Sequence, residues 1–554
     1  MAAHRSWLLV SFFLLEVLLL EAAKILTIST LSASHYILMN RVSQILQGGG
    51  HDVIKLLYEG GDIPERPNKH HQKELPHSRA SGRRHLQLQI AGHLPDFRKE
   101  NSSYQVINWR LPEDQQKTFE NRWHRLIDEY AYGRSKYHTL LKIHQYFADL
   151  CSHLLSRKDI MELLQKENFD LVLLDSMDLC SFLIVEKLGK RFVSFLPFQF
   201  SYMDFGLPNA PLSYAPVYGS GLTDQMDFWG RVKNILMFFH FTKKRRDIFS
   251  QYGNTVQEHF AEGSRPVLSD LLLKAELWFV NSDFALDFAR PLFPNTVYVG
   301  GLLDKPVQPI PQDLEDFISQ FGDSGFVLVA LGSVVSMIQS KEIIKEMNSA
   351  FAHLPQGVLW TCKSSHWPKD VSLAPNVKIM DWLPQIDLLA HPSIRLFVTH
   401  GGMNSVMEAV HHGVPMVGIP FFGDQPENMV RVEAKNLGVS IQLQTLKAES
   451  FLLTMKEVIE DQRYKTAAMA SKVIRQSHPL TPAQRLVGWI DHILQTGGAA
   501  HLKPYAFQQP WHEQYMLDVF LFLLGLTLGT LWLSVKVLVA VTRYLSIARK
   551  VKQA

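Results

Sequence analysis

The chain has 554 residues, enough for two or more domains. It is 46% hydrophobic and 20% charged with a formal net charge of +3, which excludes a disordered chain and gives no concentrated basic face for nucleic acid. Its three cysteines, Cys151, Cys180 and Cys362, cannot all pair within the chain. They exclude a disulfide framework and are expected as three buried thiols.

Residues 1–23 carry Arg5, the apolar run WLLVSFFLLEVLLL and the small-residue stretch EAA. That order predicts a secretory signal peptide cleaved near Ala22 or Ala23; the run is too short for an anchor, since a span takes about 20 apolar residues. From Lys24, KILTIST predicts a strand. The following ILMNRVSQILQGGGHDV predicts an amphipathic helix with Ile37, Val42, Ile45 and Leu46 on one face, a glycine stop and a second strand. This β-α-β unit opens a doubly wound α/β fold, whose ligands sit off the carboxyl ends of the strands. His35 is expected there, in the loop after the first strand, where a catalytic histidine or an ordinary surface histidine both fit.

Residues 59–93 are rich in Pro, Gly, His, Lys and Arg and read as a disordered surface insertion. Its histidines, His70, His71, His77, His85 and His93, lack the spacing of a metal site. Asn101, in Asn-Ser-Ser, is an N-glycosylation acceptor in a secreted chain. Helices are expected over 118–164, then an apolar strand, FDLVLLD, ending at Asp175, with Asp178 three residues on. Asp175 stands at the active edge, although an aspartate there could equally cap the next helix. Residues 200–265 are aromatic and helical; their KKRR run, 243–246, fits a solvated helix face or contact with an acidic membrane surface. The proline-rich PVQPIP, 306–311, marks the boundary between an N-terminal domain, 24–305, and a C-terminal one, 306–496.

SGFVLVALGSVVS restarts the β-α-β pattern, with Gly332 and Ser333 where backbone amides can face a phosphate. After a juxtamembrane segment, 497–518, residues 519–541 carry Lys536 as their one charge and predict a transmembrane helix. Arg543, Arg549, Lys550 and Lys552 in the 542–554 tail satisfy the positive-inside rule, giving a single-pass type I membrane protein. Gly525 and Gly529 form a GxxxG pair, a helix-pairing face through which the chain could form homo- or hetero-oligomers.

The most informative stretch is Asp381–Gln425, DWLPQIDLLAHPSIRLFVTHGGMNSVMEAVHHGVPMVGIPFFGDQ. Its polar residues are of the types a UDP-sugar demands. Trp382 can stack on uracil, a contact worth about 1–3 kcal/mol, and Gln385 can reach the base edge. Glu408 can accept both ribose hydroxyls. His400, Gly402, Asn404 and Ser405 cluster where a strand meets a helix, whose free amides suit a diphosphate. Asn404 and Glu408, four apart, share one helical face. Asp424 and Gln425 can bind sugar hydroxyls.

Taken together, W-x-P-Q, H-x-G-x-N-S-x-x-E, G-x-P and D-Q resemble the signature of the UDP-glycosyltransferase family, and the whole chain is most similar to its vertebrate family 3. That resemblance implies a GT-B architecture: two Rossmann-like domains facing a cleft, donor on the C-terminal one and acceptor on the N-terminal one. It implies His35 as catalytic base and Asp175 as its partner, with Asp178 as rival, in an inverting transfer that needs no metal and no cofactor. The acceptors would be small lipophilic hydroxyl compounds such as phenols, bile acids or steroids. The lysines of the terminal KVKQA resemble a dilysine retrieval signal, which implies the endoplasmic reticulum membrane with lumenal catalytic domains. The insertion at 59–93 departs from the family pattern. Phe422 resembles the branch using UDP-glucose or UDP-xylose; UDP-N-acetylglucosamine and UDP-glucuronic acid are the other donors in view. A second reading is a catalytically silent UDP-sugar-binding protein that regulates related transferases.

Overall fold

The computed structural model describes residues 22–29, 34–58, 104–133, 136–198, 211–332, 340–364 and 367–553. The expected signal peptide apart from its last two residues, the 59–93 stretch, Asn101 and Ser333 lie outside the described residues. The chain divides into two compact units, one up to Ala500 and one from His501.

The first unit holds two parallel sheets. The N-terminal sheet contains β1 (Lys24–Ser29), β2 (Asp52–Tyr58), β3 (Gln105–Trp109), β4 (Leu171–Asp175), β5 (Phe192–Leu196), β6 (Trp278–Val280) and β7 (Thr296–Tyr298) in the order β3-β2-β1-β4-β5-β6-β7. The C-terminal sheet contains β8 (Phe326–Ala330), β9 (Gly357–Thr361), β10 (Val377–Met380), β11 (Ile394–Thr399), β12 (Met416–Gly418) and β13 (Gly438–Ser440) in the order β10-β9-β8-β11-β12-β13. β4, β5 and β8 are buried along their whole length, the signature of parallel strands covered by helices on both faces. Strand order reverses between β1 and β4 in one sheet and between β8 and β11 in the other. Ligands of doubly wound sheets bind at such switch points, off the carboxyl ends.

Several helices matter for the site: α1 (Ser34–Gly48), α2 (Glu113–Tyr132), α3 (Lys136–Ser156), α4 (Leu179–Leu188), α5 (Met403–His412), α6 (Gln425–Ala434), α7 (Gln462–Gln476) and α8 (Pro482–Thr496). The face predicted for α1 is largely right: Val42, Ile45 and Leu46 are buried with Leu38 and Met39, while Ile37 is half-buried. α1 begins at Ser34, so His35 lies in its first turn and not in the preceding loop. Residues 211–227 are turns and irregular chain, not helix, because prolines and glycines interrupt them before the helix Phe228–Ser250. On that helix Lys243 pairs with Asp247 at 2.8 Å and Lys244 lies over the Phe241 ring, so the KKRR run is not uniformly solvated.

The expectation of three buried thiols is corrected. Cys151 on α3 and Cys180 on α4 are joined by a disulfide, with Cα atoms 5.4 Å apart, and only Cys362 is free and buried. Helix packing brings the pair within bonding reach, which no spacing rule discloses.

The two halves of this unit are locked through buried polar groups. Arg431 of α6 donates through Nε to Asp287 Oδ1 at 2.7 Å, and Tyr298 Oη donates to Asp287 Oδ2 at 2.6 Å. Burial opposes charge on both partners, yet the guanidinium holds the Asp287 carboxyl below its ordinary range. α8 crosses back to the N-terminal half: Val487 lies beneath Gly49, Asp491 sits 3.3 Å from His51, and the Ala499 amide donates to Glu276 Oε2 at 2.9 Å.

The second unit consists mainly of α9 (Leu517–Gln553). Its stretch Leu517–Arg549 is long and apolar enough to cross a membrane, with a mean hydropathy of 1.9 over its most apolar 18 residues. At 1.5 Å per residue its 33 residues exceed the roughly 30 Å hydrocarbon thickness.

Candidate active site

Two carboxyl edges meet in the first unit. From the N-terminal half, α1 presents His35 and β4 ends in Asp175. His35 Nδ1 and Asp175 Oδ2 are 2.6 Å apart. Asp175 is fully buried, and its other oxygen accepts the Met177 amide at 2.9 Å. The imidazole is partly exposed, and its second nitrogen has no hydrogen-bond partner among the described residues. Burial works against charge on His35. The Asp175 carboxylate outweighs it through charge and hydrogen bond, with smaller help from Asp424 and Asp178, and His35 is raised above its ordinary value of 6.5.

The rival aspartate has a different task. Asp178 is the N-cap of α4, where it accepts from the Cys180 amide at 3.1 Å and from Ser181 Oγ at 2.7 Å. Of the two carboxylates, only Asp175 touches the histidine.

From the C-terminal half, β11 ends at Thr399 and α5 begins at Met403, with Gly402 as its N-cap and no side chain capping the first turn. The ring of His400 occupies this bend. A Cβ on Gly402 would come within 2.5 Å of His400 Nε2, and one on Gly332 within 2.7 Å, so both positions need glycine for close approach. Gly332 also has a φ of +79°. Burial lowers His400 to about 4, so it is neutral at physiological pH, and its Nδ1 has no partner among the described residues. His400 therefore brings no charge to a diphosphate. A neutral imidazole supplies a hydrogen bond instead.

Along α5, Asn404 Oδ1 accepts from Asn281 Nδ2 of the N-terminal half at 2.9 Å, and the same Asn281 nitrogen donates to the Pro197 carbonyl at 2.8 Å. Asn281 was not singled out in the sequence; nothing local marks an asparagine just past a short strand as a contact across a cleft. Gln385 opens the short helix Gln385–Leu389 and donates to Glu408 Oε2 at 2.6 Å and to Ser405 Oγ at 3.1 Å. Burial pushes Glu408 up to about 7, against the Gln385 hydrogen bond. Trp382 is 42% exposed, leaving ring surface available for stacking.

At the start of α6, Asp424 accepts from Asn428 Nδ2 at 2.6 Å. Burial raises Asp424, while Asn428 and His35 pull it down. Asp424 and His35, from opposite halves, are therefore close enough to feel each other's charge. Gln425 is buried with its carbonyl oxygen accepting the Phe421 and Phe422 amides at 2.8 and 3.1 Å. That oxygen shapes the turn and is not free for a sugar hydroxyl. The Phe422 ring packs on Tyr130 of α2, with ring centroids 5.7 Å apart. Among the described residues no group of three or more His, Cys, Asp or Glu is arranged to hold a metal ion.

Comparison with known proteins bears on the family and the fold. The family model described as "UDP-glucoronosyl and UDP-glucosyl transferase" matches residues 23–553. UDP-glucuronosyltransferase 3A1 of Mus musculus is 94% identical over 100% of both chains, and UDP-glucuronosyltransferase 3A2 of Homo sapiens is 63% identical over 100% of both. Among solved structures, Medicago truncatula UGT71G1 complexed with UDP-glucose superposes with a TM-score of 0.55 at 16% identity, covering 86% of this chain and 98% of that one. The glycotransferase of kitacinnamycin gives 0.55 at 15% identity, covering 85% and 99%. At such identities the likeness concerns the fold, which is GT-B.

Proposed function

From its place in the UDP-glucuronosyl and UDP-glucosyl transferase family, to which the chain belongs, we propose that this glycosyltransferase inverts the anomeric centre, moving glucose or xylose from a UDP-sugar to hydroxyl groups of small lipophilic acceptors. The observation that carries this reading is the 2.6 Å contact of His35 with the buried Asp175 at the N-terminal switch point, within electrostatic reach of Asp424 at the start of α6.

The chemistry follows from these positions. Asp175 holds the Nδ1 proton, so Nε2 is the basic nitrogen and takes the proton of the acceptor hydroxyl. The acceptor oxygen attacks the anomeric carbon from the face opposite UDP, and the carbon–oxygen bond to the β-phosphate breaks. The electron pair leaves on that phosphate oxygen, and an α-linked sugar becomes a β-glycoside. The uncapped first turn of α5, with His400 and Ser405 beside it, is suited to the diphosphate charge without a metal. Glu408 would accept the ribose diol, with Gln385 holding its carboxylate, and Trp382 would stack on uracil. The aromatic ring of Phe422 beside Asp424 leaves little polar room for an N-acetyl group, which favours glucose or xylose over N-acetylglucosamine.

The setting we propose is the endoplasmic reticulum membrane, with both sheets lumenal and α9 as anchor. The Cys151–Cys180 disulfide supports an oxidising compartment. The test is UDP release over a panel of UDP-sugars with phenolic acceptors, wild type against His35→Ala. Loss of release in the variant is the expected result; equal rates would overturn the base assignment.

A further inference from the structure

The turn Phe421–Gly423 precedes Asp424, and its backbone is unusually well accounted for. Three of its polar groups are satisfied from within. The Phe421 and Phe422 amides donate to Gln425 Oε1, and the Phe422 carbonyl accepts the Gln425 amide at 3.3 Å. The other three face the N-terminal half. Lys136 Nζ donates to the Phe421 carbonyl at 3.2 Å, Tyr218 Oη donates to the Gly423 carbonyl at 2.6 Å, and the Gly423 amide lies near the Tyr130 hydroxyl.

The Tyr130 ring also stacks obliquely on Phe422, and the Gly221 amide donates to Glu427 Oε1 at 3.1 Å just beyond. Gly423 has a φ of +65°, and nothing lies within 4 Å of where a Cβ would stand. The residue there is glycine for its left-handed conformation, not for want of space. A turn hinged on such a residue keeps one geometry only while its outer hydrogen bonds persist.

We propose that Tyr130 and Tyr218 are positioning residues for donor-sugar recognition: from the acceptor half they fix the turn that sets Phe422 and Asp424 against the sugar. This rests on the reading of residues 422–425 as the sugar end of the donor site. Discrimination between donors is then a joint property of both halves. Variation in α2 or in residues 211–227 changes sugar preference with the 421–425 sequence untouched.

The test uses the full-length chain in detergent micelles and measures binding of UDP-glucose, UDP-N-acetylglucosamine and UDP alone by calorimetry. Tyr130→Phe and Tyr218→Phe each remove one hydroxyl and keep the ring. Each is expected to weaken UDP-glucose by about threefold to tenfold, the range of one net hydrogen bond. UDP affinity should stay at the wild-type value, and in the double variant the glucose-to-N-acetylglucosamine ratio should narrow. General damage to the fold would weaken UDP and UDP-sugars together, and that result overturns the proposal, as does unchanged UDP-glucose affinity in the double variant. Binding does not require turnover, so the outcomes separate. A wild type that binds donors but transfers nothing refutes the proposed reaction and leaves the positioning role standing. A double variant with wild-type donor affinity, in a chain that does turn over, refutes the positioning role alone.

Discussion

At the scale of single residues, protonation states decide what the site can do. His35 must be neutral to accept a proton, and its pKa lies above 6.5. Activity should therefore grow as pH rises through that raised value, giving kcat/KM an acid limb above 6.5. Asp175→Asn removes the main group that raises it while burial remains, so the limb should move to lower pH even as the maximal rate falls. His35→Ala should lower kcat by roughly 10²–10⁴-fold, the usual weight of a general base. Glu408, near 7, adds a second pH effect. The carboxylate is the form that accepts two ribose hydroxyls, so UDP affinity should weaken as pH falls from 8 to 6.5, and Glu408→Gln should flatten that dependence in a titration without acceptor. Much of this was legible in the residues, because an aspartate at the end of an apolar strand and a histidine after the first strand mark the edge of a doubly wound sheet. The strand-end position also favoured Asp175 over its rival Asp178, although both stand near that end. Three dimensions separate them: one meets a ring across the switch point, the other caps α4.

At the scale of elements, strand and helix periodicity exposed both β-α-β openings, and the turn between β11 and α5 was legible as a strand end followed by a helix start. The Cys151–Cys180 bond stayed hidden because it depends on how α3 packs on α4. It closes a sequence separation of 29 residues and, on the loop-entropy estimate, contributes about 3–4 kcal/mol. The double variant Cys151→Ser/Cys180→Ser should unfold at a clearly lower temperature, whereas dithiothreitol should leave that variant's unfolding temperature unchanged and lower that of the wild type. At the head of α5, Gly402→Ala forces a methyl to within 2.5 Å of the His400 ring. UDP affinity should drop there more than thermal stability does, since the ring and the first amides of α5 must both shift.

At the scale of the whole first unit, two sheets are held in register by groups far apart in sequence, and these were the least legible of all. Arg431 and Asp287 are separated by 144 residues and buried against each other. Removing one partner strands the other charge, so Asp287→Asn should cost about 3–5 kcal/mol. Pairing it with Arg431→Met should recover a large part of that loss, a coupling that a double-mutant thermal series reads directly.

The return of α8 to the N-terminal half bears on how the protein is made. A ribosome releases the first sheet long before residue 487 exists, yet Gly49, His51 and Glu276 meet Val487, Asp491 and the Ala499 amide in the folded chain. The N-terminal half is thus synthesised some 200 residues ahead of the helix that seals it, against the usual tendency of domains to finish one after another during translation. Nascent chains halted before Thr496 should remain bound to chaperones and sensitive to protease near residues 49–51, and those carrying the whole of α8 should become resistant there in a single step.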